Sequence, residues 1–241
     1  VTYKMFPDKK SIIFFTETKK EKPIDILLSS GKIEAILENY LDYLPLEPFT
    51  TELFIRIASC SIDMARYLID NNISNYIKSL IDSDRAEKLI QLSTELIDSS
   101  IENTMAFISP EFIENVINKY ICFGTIKVRI RTVRFIFTLL KSSFREDKLD
   151  SIMDIIDIKN IIEEFIDIDS PETVCLILDT LSTIWSFSIA KPEGRPKFID
   201  TIINTLVADD VCSRIDNLVT DVDENIAVKA MELSIQIHDF V

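Results

Sequence analysis

Glycine is nearly absent from this chain, with three residues in 241. That excludes Gly-rich phosphate-cradling loops and the many tight turns of an all-β fold. Histidine occurs once, at His238, so zinc sites built on two or more histidines are excluded. The four cysteines, Cys60, Cys122, Cys175 and Cys212, form no Cys-x-x-Cys pair, and each lies in or beside an apolar helical run. They read as buried free thiols, which suits a reducing, intracellular setting, cytoplasmic or nuclear. Long hydrophobic runs are missing as well: residues 11–15, Ser-Ile-Ile-Phe-Phe, fall far short of the roughly 20 needed to span a bilayer, and are too short for a signal-peptide core. No membrane insertion is expected. Positive charge is in deficit, with 26 basic against 40 acidic residues and a net charge of −14. Such a surface repels nucleic acid and anionic membranes in general. Val1 stands where an intact chain would carry methionine, as in a fragment or a processed chain.

What the chain has is isoleucine, leucine, aspartate and glutamate at helical spacing. Residues are 47% hydrophobic, too apolar for a disordered chain. The stretch from Ile161 to Ser188 shows the pattern. A short apolar helix ends in Asp/Ser turn chemistry. Pro171 then stands where a new helix can begin, because the first turn needs no N–H from it. A longer helix follows, with Val174, Ile177, Leu178, Leu181, Ile184 and Trp185 on one side.

That unit recurs. Turn markers fall after each short apolar helix, near Asp42, Asp82, Gly124, Ile168 and Asp221, at intervals of 40, 42, 44 and 53 residues. The longest interval contains the insertion Lys191-Pro-Glu-Gly-Arg-Pro-Lys197. Gly31, and Asn71-Asn72 in the next unit, suit a sharp turn between short helices, since both residue types tolerate positive φ. Spacing near 40 residues with two or three helices per unit predicts an armadillo- or HEAT-type array, in which each unit buries its apolar face only against its neighbours. Residues 23–241 form this helical repeat domain, and residues 1–22, with Lys4, Lys9, Lys10, Lys19, Lys20 and Lys22, form a basic N-terminal arm.

The segments Pro23-Ile-Asp-Ile-Leu-Leu-Ser-Ser-Gly-Lys-Ile33 and Leu68-Ile-Asp-Asn-Asn-Ile-Ser-Asn-Tyr-Ile77, with Leu80-Ile-Asp-Ser83, resemble armadillo arrays of the importin-alpha type. The resemblance runs through about residues 23–189, and more loosely to the end. It implies an all-α fold: an armadillo-like right-handed α-solenoid of about five repeats. It also implies protein recognition along the third helices, where that family places a tryptophan and, four residues on, an asparagine. The aligned pairs here are Glu52 and Arg56, Gln91 and Glu95, Arg134 and Thr138, and Asp179 and Thr183. Neither ladder residue is kept in any pair, and the lone Trp185 falls on the apolar side. The family's recognition of basic import signals is therefore not carried over with the fold.

One stripe stands out. Lys127, Arg131, Arg134, Lys141 and Arg145 fall at helical offsets 0, 4, 7, 14 and 18, with Thr138 at offset 11. Arginine donates two parallel hydrogen bonds to a carboxylate or phosphate. The expectation is a concave groove that holds an acidic or phosphorylated extended segment of a partner protein on Arg56, Lys127, Arg131, Arg134, Thr138 and Lys141. The plainer reading pairs these cations with acids of the neighbouring repeat. Two alternatives stand beside the scaffold: a divergent nuclear-transport adaptor taking a basic peptide near Glu52, Glu95 and Asp179, and a structural segment of a larger assembly, suggested by Ile235, Ile237, Phe240 and Val241 at the terminus.

No catalytic constellation is found. Glu163 and Glu164 diverge by about 100° on a helix. The acids around Asp150, Asp154, Asp157, Asp167 and Asp169 lack the glycine and terminal glutamate of a Ca²⁺ loop and read as caps and solvated faces. No serine or cysteine sits in a nucleophile motif, and Cys122 before Phe123-Gly124 reads as a core thiol. The expectation is a non-enzymatic protein with no cofactor, metal or small-molecule substrate.

Overall fold

The apolar stripes read from the sequence become thirteen helices among the described residues, with no strand among them. The computed structural model describes residues 30–38, 47–81, 85–98, 109–145 and 149–239. The basic arm 1–22 and the first apolar segment at 24–28 lie outside them. The chain divides between Ala106 and Phe107 into two units.

The first unit holds α1 (Lys32–Glu38), α2 (Glu47–Ala58), α3 (Ile62–Asp70), α4 (Ile73–Leu80) and α5 (Ala86–Asp98). Gly31, before α1, has φ +62°, and Asn72, between α3 and α4, has φ +64°. These are the two turns where glycine and asparagine were expected for that reason. Ser61 caps α3 by accepting from the Met64 amide. The long helices α2 and α5 pack on each other, and α3 and α4 pack against α5. Phe54 meets Tyr76 edge-to-face at 5.3 Å, and the Tyr76 hydroxyl shares a 2.8 Å hydrogen bond with Thr51 in the core. The phenol therefore enters the interior with its polar group satisfied. Tyr67 donates to Glu34, which ties α3 to α1.

The second unit holds α6 (Pro110–Phe123), α7 (Ile126–Ser143), the single turn α8 (Asp150–Met153), α9 (Ile158–Phe165), α10 (Pro171–Ala190), α11 (Lys197–Leu206), α12 (Asp209–Leu218) and α13 (Glu224–His238). Pro110 and Pro171 each sit in the first turn of a helix. Ser109, Asp157 and Asp223 cap α6, α9 and α13 through their side chains. Asp150 accepts from the Phe198 amide at 3.1 Å and so caps α11 from a neighbouring element. The described turn markers Gly124, Ile168 and Asp221 all fall between a second and a third helix; Asp42 and Asp82 lie outside the described residues.

The third helices α7, α10 and α13 form a series, with α10 packed on α7 along one side and on α13 along the other. Val174, Ile177, Leu178, Leu181, Ile184 and Trp185 are all buried to within 1% of full enclosure. A buried aliphatic side chain of this size stabilises by about 1.5–3 kcal/mol, so α10 anchors the unit. This helix corrects one expectation. At 20 residues, α10 is long and apolar enough to cross a membrane by length and composition alone. Asp179 and several serines and threonines interrupt its apolar run, so counting uninterrupted apolar residues misses it. Its packing between α7 and α13 makes it a core helix of this fold.

The cysteines give a second correction. Cys60 and Cys122 are exposed, and Cys175 and Cys212 are half-buried; all four are free. Cys60 lies in the turn after α2 and Cys122 in the last turn of α6, where the buried side of a helix runs out. Cys175 and Cys212 flank the buried stripes of α10 and α12 rather than joining them.

Two substitutions check this packing. Trp185→Ala is expected to cost about 3–5 kcal/mol in denaturant unfolding, because a fully enclosed indole leaves a cavity. Asn72→Val is expected to cost about 1–2 kcal/mol while Asn72→Gly holds stability, because only the β-branched residue resists positive φ.

Candidate partner-binding face

The residues left in water on the third helices of the second unit recur at helical spacing. On α7 they include Lys127, Arg131, Arg134 and Lys141; on α10, Glu172, Asp179 and Thr183; on α13, Lys229 and Gln236. Apolar residues fill the other side of each helix, so the polar strip follows from the amphipathic pattern. The strip is cross-linked. Arg134 Nη1 donates to Glu172 Oε2 at 2.7 Å, and Lys141 Nζ stands 3.8 Å from Asp179 Oδ2. Asp179 also accepts from Lys229, so one carboxylate of α10 lies between lysines of both flanking helices. Ser182 Oγ donates to Gln236 Oε1 at 3.2 Å.

The basic stripe is therefore partly spoken for. Arg134 and Lys141 carry ion pairs to the next repeat, while Lys127 is exposed and Arg131 half-buried, neither with an ion pair among the described residues. Thr138 is buried at 5% exposure, beneath the strip rather than on it. Arg145 lies over the rings of Phe144 and Phe187, with its guanidinium carbon 5.1 Å and 5.7 Å from their centroids. Arg129 turns away from the stripe: it donates to the Ile121 carbonyl at 2.7 Å, pairs with Glu164 and lies over Phe165. Glu163 pairs instead with Lys159, so the two adjacent glutamates do diverge.

In the first unit, Arg56 is exposed and pairs with Glu52 one turn back at 3.3 Å, and Lys88 of α5 pairs with the same carboxylate at 3.0 Å. The Lys88 hydrogen bond, followed by the charge of Lys88 and the Arg56 contacts, holds the Glu52 carboxyl below its ordinary range against the opposing effect of burial. Gln91 and Glu95 are half-buried on α5, and the Gln91 Oε1 is buried without a hydrogen bond among the described residues. Thr183 donates to the Asp179 carbonyl on its own helix. The insertion after α10 is an ordered connection: Gly194 has φ +66°, and Arg195 donates to Asp200 and to the Ser188 carbonyl.

No protein-family model and no curated protein sequence matches the chain. Solved structures do. A designed armadillo repeat protein aligns with a TM-score of 0.74 at 11% identity, covering 96% of this chain and 95% of its own. The chain has an armadillo-like repeat fold. Another designed armadillo protein, solved in complex with the peptide (KR)4, gives 0.73 at 12% identity over 96% of this chain and 95% of that one. A computationally designed set for modular peptide recognition gives 0.73 at 11% identity over 94% and 90%. At these identities the likeness is one of fold, the all-α solenoid class, and carries no residue-level correspondence.

The Asp179 bridge has a pH signature. The hydrogen bond to Asp179, aided by its charge, raises the Lys229 pKa above the ordinary 10.5 against the opposing effect of burial. A raised lysine pKa means the folded state favours the charged form. Its contribution is complete below the ordinary value and is lost as pH rises through the higher folded one. The stability difference between wild type and Lys229→Met is therefore expected to stay constant from neutral pH to about 10 and to shrink above that, read by urea unfolding at stepped pH.

Proposed function

We propose that this protein is a non-catalytic scaffold that binds an extended segment of a partner protein along its third helices. The observation that carries this reading is the continuous polar strip on α7, α10 and α13, with apolar residues filling the opposite side of each helix. The fold class agrees, since similar designed arrays are described as binding (KR)4 or as made for modular peptide recognition. Armadillo arrays serve as scaffolds rather than catalysts, and the exposed thiols of Cys60 and Cys122 suit a reducing cytoplasm or nucleus.

The partner segment in this proposal is acidic or phosphorylated. Lys127 and Arg131 hold charge that no described acid neutralises, and Arg134 lies one turn beyond Arg131. Arg134 and Lys141 would exchange Glu172 and Asp179 for ligand acids. Exposed pairs of this kind are worth only about 0.2–1 kcal/mol, so the exchange costs little. A basic ligand meets the reverse situation: Glu52 and Asp179 each already pair with two cations.

A second reading, docking within a larger assembly, rests on α13. Val228, Met231 and Ile235 are 43%, 45% and 54% exposed at offsets 0, 3 and 7, an apolar stripe on the side away from α10 and α12. Sedimentation separates the two readings, because docking through this stripe makes Met231→Glu abolish association and leaves peptide binding alone.

The direct test uses a fluorescent polyglutamate peptide and a (KR)4 peptide. The acidic peptide is expected to bind more tightly, and Arg131→Glu to weaken it at least about tenfold, the value of one charged hydrogen bond. Tighter binding of the basic peptide, or an Arg131→Glu variant that binds the acidic one unchanged, overturns the proposed ligand charge.

A further inference from the structure

Three side chains of a different character meet at the last repeat. Cys212 and Asp216 stand one turn apart on α12, and spacing of four residues puts both on the same helical face. His238 reaches them from the final turn of α13. Its Nε2 lies 3.2 Å from Asp216 Oδ2 and 4.0 Å from Cys212 Sγ, and the three donor atoms all fall within 4.8 Å of one another. Ser234, one turn before His238, donates to Asp216 Oδ1 at 2.6 Å.

We propose that Cys212, Asp216 and His238 form a binding site for a zinc-class divalent cation. Tetrahedral zinc has bonds of about 2.3 Å to sulfur and about 2.0–2.2 Å to nitrogen and oxygen, which puts donor atoms about 3.4 Å apart for N and O and about 3.6 Å apart for S and N. The imidazole and carboxylate already stand at that separation. The thiol needs to close on the imidazole by about 0.4 Å from 4.0 Å, and on the carboxylate from within 4.8 Å, a movement a side-chain rotation can supply. The donor set also selects the metal. Thiolate with imidazole suits zinc or cobalt, whereas magnesium and calcium require oxygen donors. The Ser234 hydroxyl orients the carboxylate from outside the donor set, a role such partners play at protein metal sites.

Binding is balanced in charge and protons. The thiol gives up its proton to solvent on ligation, so thiolate and carboxylate together offset the dication, and neutral imidazole adds no charge. Burial, with the charges of Asp216 and Asp209, pushes the Cys212 thiol above its ordinary range. Three protein ligands leave the fourth tetrahedral position for water or for a side chain of a bound partner. The ion would join the second and third helices of one repeat beyond the turn that connects them, so its binding energy would hold the end of α13 on α12.

Cobalt(II) titration of the reduced protein tests the site directly, because cobalt adopts zinc-like geometry and reports sulfur ligation by a near-ultraviolet charge-transfer band. The expected result is one equivalent bound, with that band and tetrahedral visible bands, all erased by added zinc. Cys212→Ser is expected to abolish the charge-transfer band, His238→Ala to weaken binding at least tenfold, and Cys175→Ser to leave both unchanged. Zinc should also raise the thermal midpoint of wild type and not that of His238→Ala. His238 is exposed, so its variant retains the fold, and far-ultraviolet dichroism checks this. Absence of the charge-transfer band at saturating cobalt, its survival in Cys212→Ser, or unchanged affinity in His238→Ala overturns the proposal.

Discussion

Everything in the second unit depends on the burial of α10 from two sides. A single three-helix repeat exposes one apolar flank whatever its own packing, and only a neighbouring repeat can remove that flank from water. Helix α10 carries residues that satisfy both neighbours at once: Val174, Ile177, Leu178, Leu181, Ile184 and Trp185 leave almost no area exposed. The remaining narrow strip has to be polar, because it is what the helix shows to water. The polar strip along the third helices is thus a by-product of the same constraint that holds the repeats together.

The ion pairs across that strip have a different role from the core beneath it. Arg134 with Glu172, and Lys141 and Lys229 with Asp179, join successive third helices at partly exposed positions. In water such pairs add little stability. They oppose like charges meeting across the interface, and so favour one registration of α7, α10 and α13 over a shifted one. They also leave the strip mixed in charge although the chain as a whole is strongly acidic. Net charge therefore says little about the local charge of this strip, where Lys127 and Arg131 have no ion pair among the described residues.

Much of the repeat plan was legible because it rests on local chemistry. Gly31 and Asn72 adopt the positive φ expected of them, Pro110 and Pro171 open helices, and Asp150 and Asp157 act as caps. All but one of these depend on the residue and its neighbours in sequence; Asp150 caps α11 across 48 residues, a partner that only the packing supplies. The cysteines were misread because a helical stripe has edges: a residue can follow an apolar pattern and still sit half a turn outside the buried sector. That α10 is apolar enough to cross a membrane was missed because burial, unlike an uninterrupted apolar run, accommodates hydroxyl groups that bond back to the helix, as Thr180 does to the Leu176 carbonyl.

The sequence by itself determined where helices start, stop and turn, which side of each is apolar, and the repeat length near 40 residues that goes with the armadillo-like fold. Only the tertiary structure decided which charges meet. Nothing in spacing marks Arg134 for Glu172, Asp179 for two lysines at once, or Cys212 and Asp216 for a histidine at the far end of the next helix. Those partners lie 22 to 50 residues apart. Their meeting is set by the rotation and offset with which whole helices pack, and those follow from the fit of buried side chains rather than from the polar residues that the packing brings together.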